Sequence, residues 1–283
     1  MNWKQRLKLI LPRYQKLILD YPVVMKPRYG HGNPVLSGMQ AILEKDHSVF
    51  LNWATIINQY TTELQAIKKA EHATSNREPA WNNGFLPGLD IVALYSILRH
   101  CQPRTYVEVG SGNSTKVAFK AKSDGELWMK MVSIDPFPRA EIDDLADEVI
   151  RMPFENFNWN GWDELSKGDV VFIDNSHRVL PNSDAMVFFM EILPRLKPGV
   201  LVHVHDVYWP MDYPQDMCDR FYSEQYLLGA FILANPQRYR PIFPAYYFSQ
   251  TPSLANSISA IWNHSHLSGV EQHGGSFWLE IGE

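Results

Sequence analysis

The sequence predicts an α/β fold: a doubly wound, mostly parallel sheet with helices on both faces, preceded by an N-terminal helical appendage. Three observations carry this reading. Short apolar runs that end in glycine or an acid recur from Tyr106 onward. Helical patterns separate them, and such alternation is the mark of a parallel sheet covered on both faces. The run Thr105–Thr115, TYVEVGSGNST, breaks into a glycine turn and restarts as a polar helix opening.

The appendage is expected over residues 1–80, and the main domain over 81–283. Lys4, Arg6, Lys8, Arg13 and Lys16 alternate with Leu7, Leu9, Ile10, Leu11, Leu17, Ile18 and Leu19. Pro12 interrupts that basic amphipathic stretch, and no small-residue cleavage site follows it. It reads as a helix packed on the main domain, with a membrane-surface helix as the alternative. KPRYGHGNP lies within a loop from Tyr21 to Pro34. Residues 46–73 carry one broad helical pattern through Phe50, Trp53, Ala54, Ile57, Tyr60, Leu64 and Ile67. The polar stretch Glu71–Asn83 reads as a linker.

In the main domain, Phe85–His100 is a helix-like lead-in, and Tyr106–Val109 is the first strand. Met131–Ile134 is the second, Glu148–Pro153 the third and Asp169–Asp174 the fourth. A helix over Ser183–Leu196 stops at Lys197-Pro198-Gly199, and Gly199–Asp206 is the fifth strand. Tail segments Arg240–Phe248 and Ser276–Ile281 can supply an antiparallel pair.

Composition sets outer bounds. Hydrophobic residues make up 45% and charged residues 20%, ordinary for a globular protein. Lys+Arg 26 against Asp+Glu 31 gives a net charge of −5, which argues against a general grip on nucleic acid. Cys101 and Cys218 have no metal-motif spacing, so free thiols in a reducing, cytoplasmic setting are the expectation. No run is long enough to span a membrane.

The turn Gly110-Ser111-Gly112 allows positive φ and close approach of a ligand to the backbone. The helix opened by Asn113, Ser114 and Thr115 offers free N–H groups. A dinucleotide fingerprint requires a third glycine where this chain has Thr115, and Glu108 lies inside the strand. Asp135 follows one βαβ unit later, placed to accept hydrogen bonds from ribose hydroxyls. Its plainer alternative is a turn-forming Asp before Pro136.

These motifs, with FIDNSH (Phe172–His177), LPRLKPGVLVHVHD (Leu193–Asp206) and the lead-in helix, resemble class I S-adenosylmethionine (SAM)-dependent methyltransferases over roughly Asn83–Phe248. The likeness is to bacterial enzymes that modify small molecules or sugars. It implies a Rossmann-like sheet and SAM across Glu108, Gly110, Ser111, Gly112, Asn113 and Ser114, with Asp135 on the ribose and Asp174 nearby. It also implies a small-molecule acceptor.

Two constellations can carry chemistry: Asp174-Asn175-Ser176-His177, and His203-Val204-His205-Asp206. Strand alternation places His203 and His205 on one face. In metal-dependent O-methyltransferases of this fold an acid after strand four and a pair after strand five hold a divalent metal; the matching positions here are Asp174, His205 and Asp206. A His-Asp pair departs from the oxygen ligands Mg²⁺ prefers. The metal-free reading makes His177 or His205 a general base, oriented by Asp206, and is the favoured one. The bland reading has the histidines filling polar pockets. The aromatic segment Tyr208–Tyr226 is placed to form a substrate wall or lid. Competing functions are a nucleotide-cofactor (NAD-type) oxidoreductase on a similar sheet, and a non-catalytic scaffold that retains the fold.

Overall fold

Seven strands form one sheet in this computed structural model, which describes residues 17, 19–138, 142–157 and 160–283. The strands are β1 (Thr105–Val109), β2 (Lys130–Ile134), β3 (Glu148–Ile150), β4 (Val170–Ile173), β5 (Leu201–Val204), β6 (Tyr239–Pro244) and β7 (Phe277–Ile281). Their order is β3-β2-β1-β4-β5-β7-β6, parallel except that β7 runs antiparallel to both β5 and β6. β4 and β5 are buried along their whole length. Strands covered on both faces read as unbroken apolar runs, which is why VVFI and the Leu201–Val204 stretch stand out in the sequence. The strand order reverses between β1 and β4, and ligands of such sheets bind outside the carboxyl ends at that point.

The helices before the sheet are α1 (Ser37–Lys45), α2 (His47–Asn58), α3 (Thr61–Gln65) and α4 (Gly88–Cys101). In α2, Phe50, Trp53, Ala54 and Ile57 recur at helical spacing on one buried face. Phe50 meets Tyr247 edge-on at 6.1 Å, and Trp53 meets His100 at 5.6 Å. Met39, Leu43, Phe50 and Ile57 belong to the same hydrophobic core as Leu94, Val107 and Phe243. Each such side chain contributes about 1.5–3 kcal/mol by burial. α4 is buried all round from Gly88 to Leu98 and ends where Gln102 turns left-handed.

Several expectations change. The expected helix over residues 46–73 divides into α2 and α3, because the chain turns at Gln59-Tyr60; Thr61 Oγ1 then donates back to the Asn58 carbonyl at 2.9 Å. A parallel pair joins Lys68–Lys69, within the expected helical stretch, to Ala80–Trp81, within the expected linker. The tail segment Arg240–Phe248 is strand only to Pro244; Ala245–Gln250 is a helix. Proline fits there because β6 is an edge strand. The helix from Ser183 begins at Asp184 and passes through a π turn, then a 3-10 turn at Pro194. Except for Leu17 and Leu19, the basic N-terminal segment lies outside the described residues.

Candidate active site

The glycine turn is built by close approach. Gly110 has φ +82°, and a Cβ there would stand 1.8 Å from the Asp174 carbonyl oxygen. Only glycine lets the end of β1 pass so near the end of β4. A Cβ on Gly112 would meet nothing within 4 Å. Helix α5 (Asn113–Asp124) opens directly after. Thr115, where a dinucleotide fingerprint has glycine, holds the turn: its hydroxyl accepts from Gly112 N–H at 3.0 Å and donates to Glu108 at 2.5 Å.

Glu108 is buried, and Tyr106 and Ser114 also donate hydroxyls to its carboxylate, at 3.1 and 3.2 Å. Burial pushes it up to about 7, even though these hydroxyls favour the charged form. Glu108 and Ser114 therefore lie under the turn, outside the cleft it borders. Asn113 reaches sideways to Asn83 at 3.0 Å.

A cleft of about 380 Å³ opens at the carboxyl ends of β1, β2 and β4, within the size range of small-molecule sites. Gly110, Ser111, Asp135, Asp174 and His177 line it, as the sequence reading expects. Asn175, from the same constellation as Asp174, lines it too, as do Phe137, Phe154, Glu155 and Asp184, which no sequence pattern singled out. Asp135 accepts from the N–H groups of Ser111 at 2.9 Å and Phe137 at 2.8 Å. The Ser111 hydroxyl also donates to Oδ2, at 3.4 Å, while Oδ1 keeps a lone pair for a ligand hydroxyl. Asp135, the glycine turn and the open space over Gly112 together suit an adenosyl ribose.

Beside the cleft, four predicted side chains converge. Asp174 Oδ1 lies 3.4 Å from His177 Nε2 and 3.5 Å from His205 Nδ1. Asp206 lies 3.5 Å from His177 Nε2 and 3.7 Å from His205 Nδ1. Each imidazole turns its far nitrogen to a buried carboxylate the sequence reading did not identify. His177 Nδ1 meets Glu224, and His205 Nε2 meets Asp90 at 3.2 Å. Asp90 also accepts from the N–H groups of Gly275 and Ser276, at 2.8 and 2.9 Å.

Burial alone would lower both imidazoles. For His177 the carboxylates of Glu224, Asp174 and Asp206 outweigh it and raise it to about 10. For His205, Asp174, Asp206 and Asp90 do the same, well above the ordinary value. Burial would raise Asp174, but the two imidazoliums hold it well below the usual carboxylate range. The carboxylates around them thus hold both imidazoles toward the charged form.

His177 and Asp206 have positive φ, 60° and 54°. For residues other than glycine this costs about 1 kcal/mol or more, and such strain gathers at functional sites. His203 shares the face of His205, at 5.8 Å between rings, but not its role. It stacks on Phe172 at 3.7 Å and meets Ser276 Oγ at 2.7 Å. Burial, with the charge of His205, keeps it well below its ordinary value.

The segment after β5 covers this cluster. Tyr222 stacks on His177 at 4.7 Å, and Ser223 N–H donates to the His177 carbonyl at 2.9 Å. Helices α6 (Asp184–Val187), α7 (Gln215–Cys218) and α8 (Glu224–Ala234) flank it, and α8 starts at the carboxylate that holds His177. The loop KPRYGHGNP docks on this segment. Asp212 accepts from Arg28 N–H at 2.8 Å, and Asp212 N–H donates to the Tyr29 carbonyl at 3.0 Å.

Among the described residues, no group of three or more His, Cys, Asp or Glu stands as a metal-holding set; Asp174, His205 and Asp206 are placed as ion-pair partners. No curated protein matches the chain. Solved structures similar to it include three methyltransferases. One is an SAH-bound methyltransferase of Podospora anserina, at 12% identity over 81% of this chain and 88% of that one, TM-score 0.42. The second is a putative methyltransferase of Thermobifida fusca, at 13% identity over 71% and 85%, TM-score 0.36. The third is an O-methyltransferase of Bacillus cereus in complex with SAH, at 15% identity over 87% and 100%, TM-score 0.34. These scores are low, and the fold assignment rests on this chain's own sheet order. Residues 107–207 match the family model described as a methyltransferase domain, the segment that contains the glycine turn, Asp135 and the whole Asp174–His177–His205–Asp206 cluster. That match, with the β3-β2-β1-β4-β5-β7-β6 sheet and its reversal of order between β1 and β4, makes residues 107–207 similar to a methyltransferase domain on a Rossmann-like sheet.

Proposed function

We propose that the enzyme methylates a hydroxyl oxygen of a small-molecule acceptor, with the Asp174–His177–His205–Asp206 cluster taking the proton. The observation that carries this is a proton-handling cluster at the ends of β4 and β5, bordering the cleft at Asp174 and His177. Transfer to a thiol needs less of such help. Bound SAM supplies an electrophilic methyl on its sulfonium. Asp135 would accept from the ribose, and the Gly110–Ser111 backbone would hold the cofactor beside it. Asn113 borders that turn, while Glu108 and Ser114 hold it from beneath. The acceptor oxygen attacks the methyl carbon as the C–S bond breaks. Its proton goes to the cluster.

The order of exposure says which atom meets that proton first. The Asp174 side chain is 35% exposed and Asp206 18%, against 10% for His177 and 5% for His205. The carboxylates form the open edge, and the imidazoles stand behind them. Alignment contributes most of the acceleration. The base contributes roughly 10²–10⁴-fold more.

A second reading keeps a divalent cation on Asp174, His205 and Asp206. It is favoured by the carboxylates behind both imidazoles, since metal-bound histidines carry such partners on the other ring nitrogen. The mixed donor set suits Zn or Mn better than Mg²⁺. A bound cation would lower the pKa of an acceptor hydroxyl.

The test is transfer of labelled methyl from SAM to a panel of hydroxylated small molecules, with and without EDTA. Activity untouched by EDTA supports the metal-free cluster. Loss restored by metal supports the second reading. Labelling of thiols alone would contradict both.

A further inference from the structure

We propose that Arg178 and Arg220 form a binding site for a phosphate group carried by the acceptor. This rests on the methyl-transfer reading above and names the chemistry of the substrate that reading leaves open.

The two guanidiniums share one aromatic ring. Arg220 lies 4.5 Å and Arg178 5.3 Å from the centre of Tyr222, the ring that stacks on His177. The pair is thus one side chain removed from the proton-handling cluster. Arg178 is fixed by the backbone: Nε donates to the Arg220 carbonyl and Nη1 to the Ser176 carbonyl, both at 2.8 Å. Its Nη2 edge makes no hydrogen bond among the described residues. Arg220 is exposed, and its guanidinium makes no hydrogen bond or ion pair among the described residues. Asp216 and Asp219 lie nearby in sequence, but neither forms an ion pair among the described residues; Asp219 accepts instead from Gln215 Nε2 at 2.8 Å.

Neither guanidinium on this ring has a counter-ion among the described residues. In a chain of net charge −5 this arrangement stands out. Lys26 and Arg28 belong to a segment whose Met25 packs on the same aromatic cluster, and neither forms an ion pair among the described residues. Arginine's planar fork matches oxyanions bidentately. A carboxylate needs one such fork. A phosphate monoester, with close to two negative charges at neutral pH, balances two.

The experiment uses the full chain and inorganic phosphate as probe, titrated by calorimetry at constant ionic strength, with acetate as the monoanion control. SAH affinity and thermal midpoint are measured in each variant. Phosphate should bind the wild type and weaken by at least about tenfold in Arg220→Gln, the scale of one lost charge-assisted hydrogen bond. Arg178→Gln/Arg220→Gln should lose it altogether, with SAH affinity unchanged. Since the Arg220 head group makes no hydrogen bond or ion pair among the described residues, that variant keeps the test readable if the double variant is unstable. Phosphate that fails to bind, binds the variants equally, or binds no better than acetate would overturn the proposal. Failure of SAH to bind the wild type would strike the methyltransferase reading instead.

Discussion

The carboxylates of Glu224, Asp174 and Asp206 hold His177 against the effect of its burial. Raised to about 10 from an ordinary 6.5, it stabilises the fold through the proton it keeps. That contribution is complete below pH 6.5 and disappears as pH climbs through 10. An NMR titration of the His177 ring should find its midpoint far above 6.5; a midpoint at the ordinary value would contradict the ion-pair arrangement. Glu108, raised from 4.5 to about 7, has the same sign in a lower window: its contribution is full below pH 4.5 and lost by about 7. Thermal midpoints of Glu108→Gln should therefore lose the part of the wild-type pH slope that lies between those values. Asp135→Ala should weaken SAM binding by about 1–3 kcal/mol, the cost of unmade hydrogen bonds to a charged group. Unchanged calorimetric affinity would refute the ribose assignment. At this scale the sequence names most of the site, because Asp174, His177, His205 and Asp206 lie at strand ends that apolar runs announce. It misses Asp90 and Glu224, which come from helices 115 and 47 residues away from their histidines. No local pattern marks a carboxylate whose partner is fixed only by packing.

On the proposed reading, cofactor binding depends on the β1 turn. Gly110→Ala forces a Cβ against the Asp174 carbonyl and a side chain into positive φ. That variant should lose SAM binding and several degrees of thermal midpoint, since backbone clash and strain add. Gly112→Ala meets no protein atom, so its loss should fall on SAM affinity with little effect on stability. Equal melting of the two variants would contradict this division. Thr115 explains why the motif departs from a dinucleotide fingerprint: its hydroxyl caps the turn and locks Glu108 in place. The tail was harder to read. Tyr246-Tyr247-Phe248 has strand-like composition, yet the ladder with β7 ends at Pro244 and the aromatics turn into a helix that packs on α4. Tertiary packing there overrides β propensity.

Across the whole molecule, the appendage and the sheet share one core. The division near residue 80 is thus a proposal about roles, in which the first segment serves the acceptor or assembly. Cutting the chain at about residue 75 would expose the partners of Phe50, Trp53 and Ile57. The cut chain should melt well below the intact one, while any folded product should still bind SAM through the glycine turn and Asp135. A folded product that binds none would show that the appendage completes the cofactor pocket. The central claim is that the cleft at the β1–β4 crossover holds SAM. It is tested most directly by a thermal-shift comparison of SAM, SAH, NAD and NADP on the intact chain, since a ligand that binds only the folded state raises its stability by mass action. The account predicts shifts with SAM and SAH, abolished in Gly110→Ala, and none with the dinucleotides. A shift with NAD or NADP and none with SAM or SAH would contradict it.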